Sequence, residues 1–232
     1  YQTAFIKANY PVAFYAASMS LDYENTDKLQ IFVQDALAHD IKVSAPDINR
    51  SDVMFETGER EIKYVLSAIK NVGRQSMIDL VAERTQNGPY KDIFDFARRV
   101  GAVGINSKLL ENLISSGALD CLETDRARLF ESVKMLLSEA SIAQNERKEG
   151  QSNLFGEEEI SESRTLQEVA PWSPVERLTR EFDAIGFYLS GHPLDDYRTV
   201  LRRMNVLGFE DLAGLREAVA GQINGQHATA LR

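Results

Sequence analysis

A short turn with a basic residue on either side is the first segment whose residue types and spacing could do chemistry. It comprises Lys70, Asn71, Val72, Gly73 and Arg74, and segments with helical spacing of apolar residues precede and follow it. The N–H groups that begin the second helix would point outward from such a turn, and together with the helix dipole they favour an anion. The two flanking cations would add charge-assisted hydrogen bonds. The segment therefore predicts a site for regularly spaced phosphates, which a nucleic-acid duplex provides whatever its base sequence.

A second turn of the same kind, with less charge, follows further along the chain. It comprises Gly104, Ile105, Asn106, Ser107 and Lys108. Asn106 or Ser107 would cap the helix expected over residues 109–116. Both turns fit the helix-hairpin-helix pattern, and Asn71 stands where that pattern usually has a glycine, because asparagine tolerates a positive φ. The tandem turns predict duplex binding that weakens with salt; the alternative is that both helix pairs only pack in the core.

A pair of large apolar residues lies in the most acidic part of the sequence. Leu154 and Phe155 follow Gln151 in a stretch without helical or strand periodicity, so they have no face of their own to join. Burial in a partner's pocket would stabilise a complex by about 1.5–3 kcal/mol for each side chain, and the Gln151 amide would fix the register. The spacing therefore predicts a peptide that docks on another protein; the alternative is a solvated segment that folds back on its own chain.

The charges are distributed unevenly along the sequence. Residues 63–108 contain eight basic and four acidic side chains, whereas residues 139–168 contain three basic and eight acidic ones. Such a change predicts two partners of different kind. The net charge of −9 argues against a protein whose whole surface lies on nucleic acid.

The composition excludes several classes of protein. One cysteine among 232 residues leaves no disulfide framework and no multi-cysteine zinc site, and with no signal peptide expected this agrees with a cytoplasmic protein. No apolar run approaches the roughly 18 residues needed to span a bilayer, so no membrane partner is expected. The apolar neighbours of Cys121 predict that it lies in the core. Because the sequence begins at Tyr1 with helical periodicity already present, we expect a fragment of a longer chain.

Periodicity and capping signals predict a mainly α fold with one small β-hairpin. Helices are expected over residues 1–20, with a start at Pro11, and over 27–39. The hairpin is expected between runs at 53–55 and 62–64. Helical periodicity then continues to residue 140, before a linker and a last helix that begins after Ser173. The breaks expected within the helical region are at 71–73, 87–89, 101–106 and Gly117.

Five strings of the sequence carry a resemblance to a known family. They are YQTAFIKANYPVAFYAASMS, KVSAPDINRSDVMFETGEREIKYVLSAIKNVG, NSKLLENLISSGALD, QSNLFG and DAIGFYLSGHPLDDY. In this order they resemble the bacterial replicative DNA polymerase III α subunits, over residues 1–200. The resemblance implies four parts: a helical fingers-domain tail with the β-hairpin (1–64), a tandem helix-hairpin-helix region (65–140), an acidic linker with a clamp-binding peptide (141–171), and a helical segment leading into a truncated OB-type β-domain (172–232).

The resemblance also assigns roles to the candidate residues. It implies that Gln151, Leu154 and Phe155 bind the sliding clamp, which is the β subunit of the holoenzyme. It implies a first duplex-binding turn at residues 70–74 and a second one formed by Asn106, Ser107 and Lys108. The implied partners of this cytoplasmic DNA-directed DNA polymerase are double-stranded DNA, the clamp and the other subunits of the polymerase III holoenzyme.

The catalytic centre of such a polymerase is not expected in this sequence. Phosphoryl transfer needs acidic residues that hold two metal ions about 3.5–4 Å apart. The resemblance implies that these carboxylates lie upstream of Tyr1, and no Asp-x-Asp occurs here. We therefore expect no catalytic residue, metal site or cofactor in this chain, and Mg²⁺ in the parent polymerase. The alternatives are a stand-alone helix-hairpin-helix DNA-binding protein and a protein–protein scaffold, both without polymerase activity.

Overall fold

The computed structural model describes residues 1–149, 165–204 and 206. They fall into two compact units, one from Tyr1 to Gly191 and one that begins at His192. The described residues form ten α-helices and one three-stranded sheet, which confirms the mainly α fold. No helix in this part of the chain is long and apolar enough to cross a membrane.

The first unit begins with three helices, of which the second and the third pack on the sheet. They are α1 (Gln2–Asn9), α2 (Pro11–Leu21) and α3 (Thr26–Ala38). Pro11 begins α2, where its missing N–H costs nothing, and the Asn25 side chain caps α3 by accepting from the N–H of Lys28. Both helix starts agree with the sequence prediction. The inner faces of α2 and α3 bury Tyr15 and Leu29, among others, in a core that they share with the sheet.

The small sheet contains a hairpin whose first strand lies at 56–57 instead of the predicted 53–55, and one further strand. Its strands are β1 (Lys42–Ser44), β2 (Glu56–Thr57) and β3 (Glu61–Lys63), in the spatial order β1-β3-β2. β2 and β3 are antiparallel and form the hairpin, while β1 runs parallel to β3 with Val43 opposite Ile62. β1 was not predicted as a strand, because its partner lies far along the sequence and no local turn fixes their register.

The helical region that follows has its own core. Its helices are α4 (Arg74–Asn87), α5 (Ile93–Val100), α6 (Ser107–Ser115), α7 (Arg126–Glu131) and α8 (Val133–Glu149). Leu80, Phe96 and Leu113 are fully buried members of this core. Gly117 has a φ of 83° and lets the N–H of Ala118 donate to the Leu113 carbonyl at 3.0 Å, which is the left-handed helix end that the sequence predicts.

Three local expectations are wrong. The segment before the first basic turn forms only a short 3₁₀ helix, Leu66–Ala68, because residues 64–69 are all buried and a wholly buried run has no periodicity that separates helix from extended chain. α8 continues to Glu149 instead of ending at residue 140, since Ala143 still packs on its buried face. Cys121 is exposed, because it lies in the turn after α6 while Leu119 takes the buried position.

The last helix of the first unit is α9 (Pro174–Ile185), followed by a folded-back segment, residues 186–190, which we call the hook. Ser173 caps α9 by accepting from the N–H of Glu176, as predicted. Phe187 of the hook is buried beside Tyr64, with ring centres 6.1 Å apart. The hook therefore belongs to the same core as the β-sheet.

The second unit is described only over residues 192–204 and at 206. It contains α10 (Arg198–Arg203) and a turn in which the Asp195 carboxylate accepts from the N–H of His192 at 2.7 Å and from Arg198 at 2.6 Å. These two hydrogen bonds lower the pKa of Asp195. The expected start of an OB-type domain falls at residues outside the described ones.

Candidate nucleic-acid interface

The first basic turn leads directly into α4. Asn71 has a φ of 59°, the positive value that the sequence prediction requires, and Gly73 precedes the helix with extended angles (φ −65°, ψ 131°). Among the described residues, no side chain caps the first turn of α4, whereas α3, α5, α6, α7 and α9 each have a side-chain cap. The N-terminus of α4 thus combines uncapped N–H donors with the positive end of the helix dipole, which suits an anion.

Lys70 connects the first turn to the end of α9. Its N–H donates to the Ala184 carbonyl at 2.8 Å, and its Nζ lies 6.0 Å from the ring centre of Phe182. A Cβ placed on Gly186 would lie 2.9 Å from Lys70 Nζ, so the ammonium group occupies the space beside this glycine. Lys70 is half-buried and forms no ion pair with a described carboxylate. Its charge is therefore available to a ligand at the edge of the turn.

Three of the other residues of the first turn are exposed, and one is buried in the core. Asn71, Gly73 and Arg74 are exposed, and the guanidinium carbon of Arg74 lies 5.9 Å from the ring centre of Tyr23. Val72 is only 8% exposed and joins the helical core. Its side chain holds the turn in place, so any contact of Val72 with a phosphate is limited to its main chain.

The second turn has the predicted geometry but less free charge. Gly104 has a φ of 72°, and the Asn106 side chain caps α6 by accepting from the N–H of Leu109 at 2.9 Å. The Ser107 hydroxyl donates to Glu111 at 3.0 Å, and Lys108 Nζ lies 3.8 Å from the same carboxylate. Sequence reasoning missed Glu111, although its spacing of three and four residues from these donors signals such pairs on a helix. The second turn is less suited to an anion than the first.

One core holds both turns. Val72 and Met77, on either side of the start of α4, share this core with Leu109 of α6, and Ile105 of the second turn packs against it. A Cβ on Gly101 would collide with the carbonyl oxygen of Ala140 in α8. Only glycine therefore allows the segment between α5 and the second turn to lie this close to α8. The two turns are therefore fixed relative to each other.

Part of the basic excess of residues 63–108 is used inside the fold. Arg84 donates to two main-chain carbonyl groups at 2.8 Å, Arg99 pairs with Glu83 at 2.8 Å, and Lys63 pairs with Glu56 at 3.0 Å. The basic residues of this region without an ion pair to a described carboxylate are Lys70, Arg74, Lys91 and Arg98, whereas Lys108 lies beside Glu111. The positive charge available to a ligand is therefore smaller than the eight basic residues of this region suggest, but it includes both cations of the first turn.

The predicted clamp-binding residues Gln151, Leu154 and Phe155 lie outside the described residues. Within the described ranges, no group of three or more His, Cys, Asp or Glu side chains is arranged to hold a metal ion.

Comparison with known proteins agrees with this geometry. A family model described as a helix-hairpin-helix motif matches residues 40–129, which include both turns. Residues 40–129 are thus similar to helix-hairpin-helix regions, and the rest of the described chain is mainly helical. The chain is also 43% identical, over 95% of its length, to the DNA polymerase III subunit alpha of Caulobacter vibrioides, of which it covers 19%.

Two further relatives carry the same name. The DNA polymerase III subunit alpha of Borreliella burgdorferi is 39% identical over 94% of the chain, and that of Thermus aquaticus is 40% identical over 85%. The chain covers 20% and 16% of these proteins, so it spans about a fifth of the length of the curated relatives it matches. The resemblance to the DNA polymerase III α subunits is confirmed: nearly the whole chain is similar to one segment of that protein.

Proposed function

We propose that this chain is a segment of a bacterial DNA-directed DNA polymerase and that it binds duplex DNA through its two turns. The observation that carries the proposal is the uncapped N-terminus of α4 between Lys70 and Arg74, inside the region that matches the helix-hairpin-helix motif. The similarity to one segment of DNA polymerase III subunit alpha supplies the class of enzyme.

The proposed contacts are with phosphates and not with bases. The N–H groups of the first turn and of the start of α4 donate to phosphate oxygens, while Lys70 and Arg74 add charge on either side. The second turn contributes Asn106, Ser107 and Lys108. It binds phosphate more weakly, because the Glu111 carboxylate already accepts a hydrogen bond from Ser107 and lies near Lys108. Binding of this kind does not depend on base sequence and weakens as salt rises.

The proposal includes a tether to the sliding clamp. The spacing of a clamp-binding peptide is present in Gln151, Leu154 and Phe155. These residues lie in the acidic part of the sequence, which is not attracted to the phosphates of DNA. In this proposal the protein works in the cytoplasm with the other holoenzyme subunits. The carboxylates and Mg²⁺ for phosphoryl transfer belong to parts of the polymerase outside this segment.

The test of duplex binding compares two double variants of the 232-residue chain. Lys70→Ala with Arg74→Ala removes the two cations of the first turn, and we expect weaker binding to a blunt duplex and a salt slope that is shallower by up to about two units. The measurement is fluorescence anisotropy of a labelled duplex across a range of salt concentrations.

The matched control is Lys42→Ala with Arg60→Ala, which removes the same charge from exposed positions on β1 and in the β2–β3 turn. We expect its salt slope to stay within about half a unit of the wild type, because neither residue contacts the bound phosphates. Equal slopes for the two double variants would contradict the assignment of the first turn.

A further inference from the structure

We propose that Phe182 and Tyr188 form a stacking platform for the bases of single-stranded DNA that continues from the bound duplex. This inference rests on the proposed function, because it takes the first turn as the place where the duplex is held. It adds a second kind of ligand, unpaired bases, and assigns it to two residues that play no part in gripping phosphates.

The two rings form an exposed aromatic pair. Phe182 is 39% exposed and Tyr188 is 36% exposed, and their ring centres lie 5.0 Å apart with an angle of 43° between the ring planes. Aromatic rings of this size usually bury most of their surface. Each residue still leaves more than a third of its surface to solvent, which provides area for a flat ligand.

The platform is held in place before any ligand arrives. Glu181, the neighbour of Phe182, is 1% exposed and accepts from the N–H groups of Leu189 and Ser190 at 3.0 and 2.8 Å. These bonds fix the hook directly after Tyr188. Binding of a ligand therefore costs little conformational entropy at the two rings, which favours binding.

The platform lies next to the first turn. The Nζ of Lys70 is 6.0 Å from the ring centre of Phe182, and the Lys70 N–H donates to the Ala184 carbonyl in the last turn of α9. A cation beside exposed aromatic rings is a combination with which proteins bind single strands, since the rings stack on the bases and the cation neutralises the backbone. The same lysine thus borders both the phosphate site and the platform.

The chemistry of a template-directed polymerase provides such a ligand. Its substrate contains a duplex and, joined to it, a single strand whose bases are not paired. Bases inside a duplex are stacked on each other and do not offer their faces to a protein, so the platform fits only the single-stranded part. We therefore expect the platform to add affinity for duplexes with an extension and none for blunt ones.

The test isolates base stacking from charge. Duplexes with a five-nucleotide thymine extension, at either end of one strand, are compared with duplexes whose extension is abasic and thus carries the same phosphates. We expect the wild-type chain to bind the thymine extension at least about fivefold more tightly than the abasic one, the lower limit for one stacked base. Phe182→Leu with Tyr188→Leu should bring this ratio to about one, whereas Tyr188→Phe should keep it.

The control and a second measurement guard against misfolding. Phe5→Leu with Tyr10→Leu removes an exposed Phe and Tyr from α1 and from the residue after it, and should leave the ratio unchanged. In wild-type protein, 5-iodouracil in the extension should form photo-crosslinks to Phe182 or Tyr188, as mapped by mass spectrometry. This measurement needs no variant.

The possible outcomes separate the two proposals. A wild-type chain that does not bind the blunt duplex contradicts the proposed function. A chain that binds the duplex but shows a ratio of about one, or crosslinks only to other residues, overturns the platform alone. A ratio that survives in the folded double-leucine variant also overturns it.

Discussion

Tyr64 is fully buried between the rings of Phe55 and Phe187, at centre-to-centre distances of 5.5 and 6.1 Å. Its hydroxyl has no hydrogen-bond partner among the described residues, and burial raises the pKa of this phenol. A buried hydroxyl without a partner costs free energy, because folding removes the water that would otherwise bind it. The ring stabilises the core while the oxygen destabilises it.

We expect Tyr64→Phe to raise the free energy of unfolding by about 1 kcal/mol, since it removes the unpaired oxygen and keeps the ring. The measurement is urea denaturation followed by circular dichroism.

The control for Tyr64 is Tyr90→Phe, which should lower the free energy of unfolding by about 1 kcal/mol because the Tyr90 hydroxyl donates to the Leu80 carbonyl at 3.2 Å. A loss of stability in Tyr64→Phe would show that its hydroxyl has a partner in solution.

Single residues with unusual backbone angles were predictable from the sequence. Asn71 and Gly117 both have a positive φ, as their places in a turn and after a helix indicated. The surroundings of Tyr64 and of Phe182 were not predictable, because both depend on the hook, which meets the body of the protein only after the chain has folded. Local chemistry fixes local angles, whereas long-range packing decides which side chains stay exposed.

At the scale of the elements, an ion pair joins α4 to α5. Arg99 donates to both oxygens of Glu83 at 2.8 and 2.9 Å, and its guanidinium lies 4.3 Å from the ring centre of Tyr90. Burial on its own would raise the pKa of Glu83, but hydrogen bonds, foremost those from Arg99, outweigh it and leave that pKa below its usual value. The pair therefore stabilises the folded state only while Glu83 is ionised.

This shift predicts how stability depends on pH. A carboxylate with a lowered pKa contributes fully above its unfolded-state pKa, and the contribution is lost as the pH falls through about 4.5 towards the folded-state value. We expect the free energy of unfolding to fall less steeply between about pH 5 and pH 3 in Glu83→Gln than in the wild type. Urea denaturation at each pH measures this.

The control for Glu83 is Glu59→Gln, which changes an exposed carboxyl group in the β2–β3 turn and should leave the pH dependence as it is. If Glu83→Gln and the wild type lost stability in parallel, the ion pair would not be the source of the pH dependence.

A second polar link holds α9 and the hook on the helical region. Arg126 is 4% exposed and donates to Asp120 and to the Ser115 carbonyl, with Glu181 at 3.7 Å. Glu181 in turn accepts from Leu189 and from Ser190. Removal of Glu181 would take a carboxylate from the buried Arg126 and leave the N–H groups of Leu189 and Ser190 without their acceptor.

We expect Glu181→Ala to lower the free energy of unfolding by about 3 kcal/mol, in the range for a buried ion pair that loses one partner. The measurement is again urea denaturation. Glu176→Ala, on the exposed face of the same helix and paired with Arg180, should cost no more than about 0.5 kcal/mol. Equal effects of the two changes would contradict the structural role of Glu181.

Some helix starts could be predicted because capping signals are local. Ser173 caps α9 and Asn106 caps α6, where the sequence indicated Ser173 and either Asn106 or Ser107. The parallel pairing of β1 with β3 and the 3₁₀ helix before the first turn could not be predicted. The pairing of β1 joins residues far apart in the sequence, and the 3₁₀ helix lies in the run 64–69, which is buried throughout and so has no periodicity to indicate its conformation.

At the scale of the whole molecule, the proposal joins two weak attachments. One is the grip on duplex DNA, and the other is the proposed peptide around Phe155 on a clamp that encircles the same DNA. Once one attachment forms, the other acts at a high effective concentration, so prolonged attachment needs no single tight contact. A count of basic residues overestimates the affinity for DNA, because Arg84 and Arg99 form their contacts within the fold.

The tether is tested with Leu154→Ala and Phe155→Ala together. We expect this double variant to lose binding to an isolated sliding clamp and to keep the wild-type unfolding temperature, because the two side chains contribute their burial only in the complex. Surface plasmon resonance on immobilised clamp measures the affinity.

The control for the tether is Ser152→Ala with Asn153→Ala in the same stretch, which should bind the clamp as the wild type does. Clamp affinity that persists in the Leu154 and Phe155 variant would contradict the proposed peptide.

Gly186 has a consequence for how the sequence can change over evolution. Its φ of 103° already favours glycine, and a methyl group there would meet Lys70 and Thr26. A larger residue at position 186 would displace the Lys70 side chain from the space beside it, so the loss of this glycine would alter the first turn, which lies far earlier in the chain. Positions 70 and 186 should therefore covary among relatives, with a long basic side chain at one wherever the other keeps its glycine.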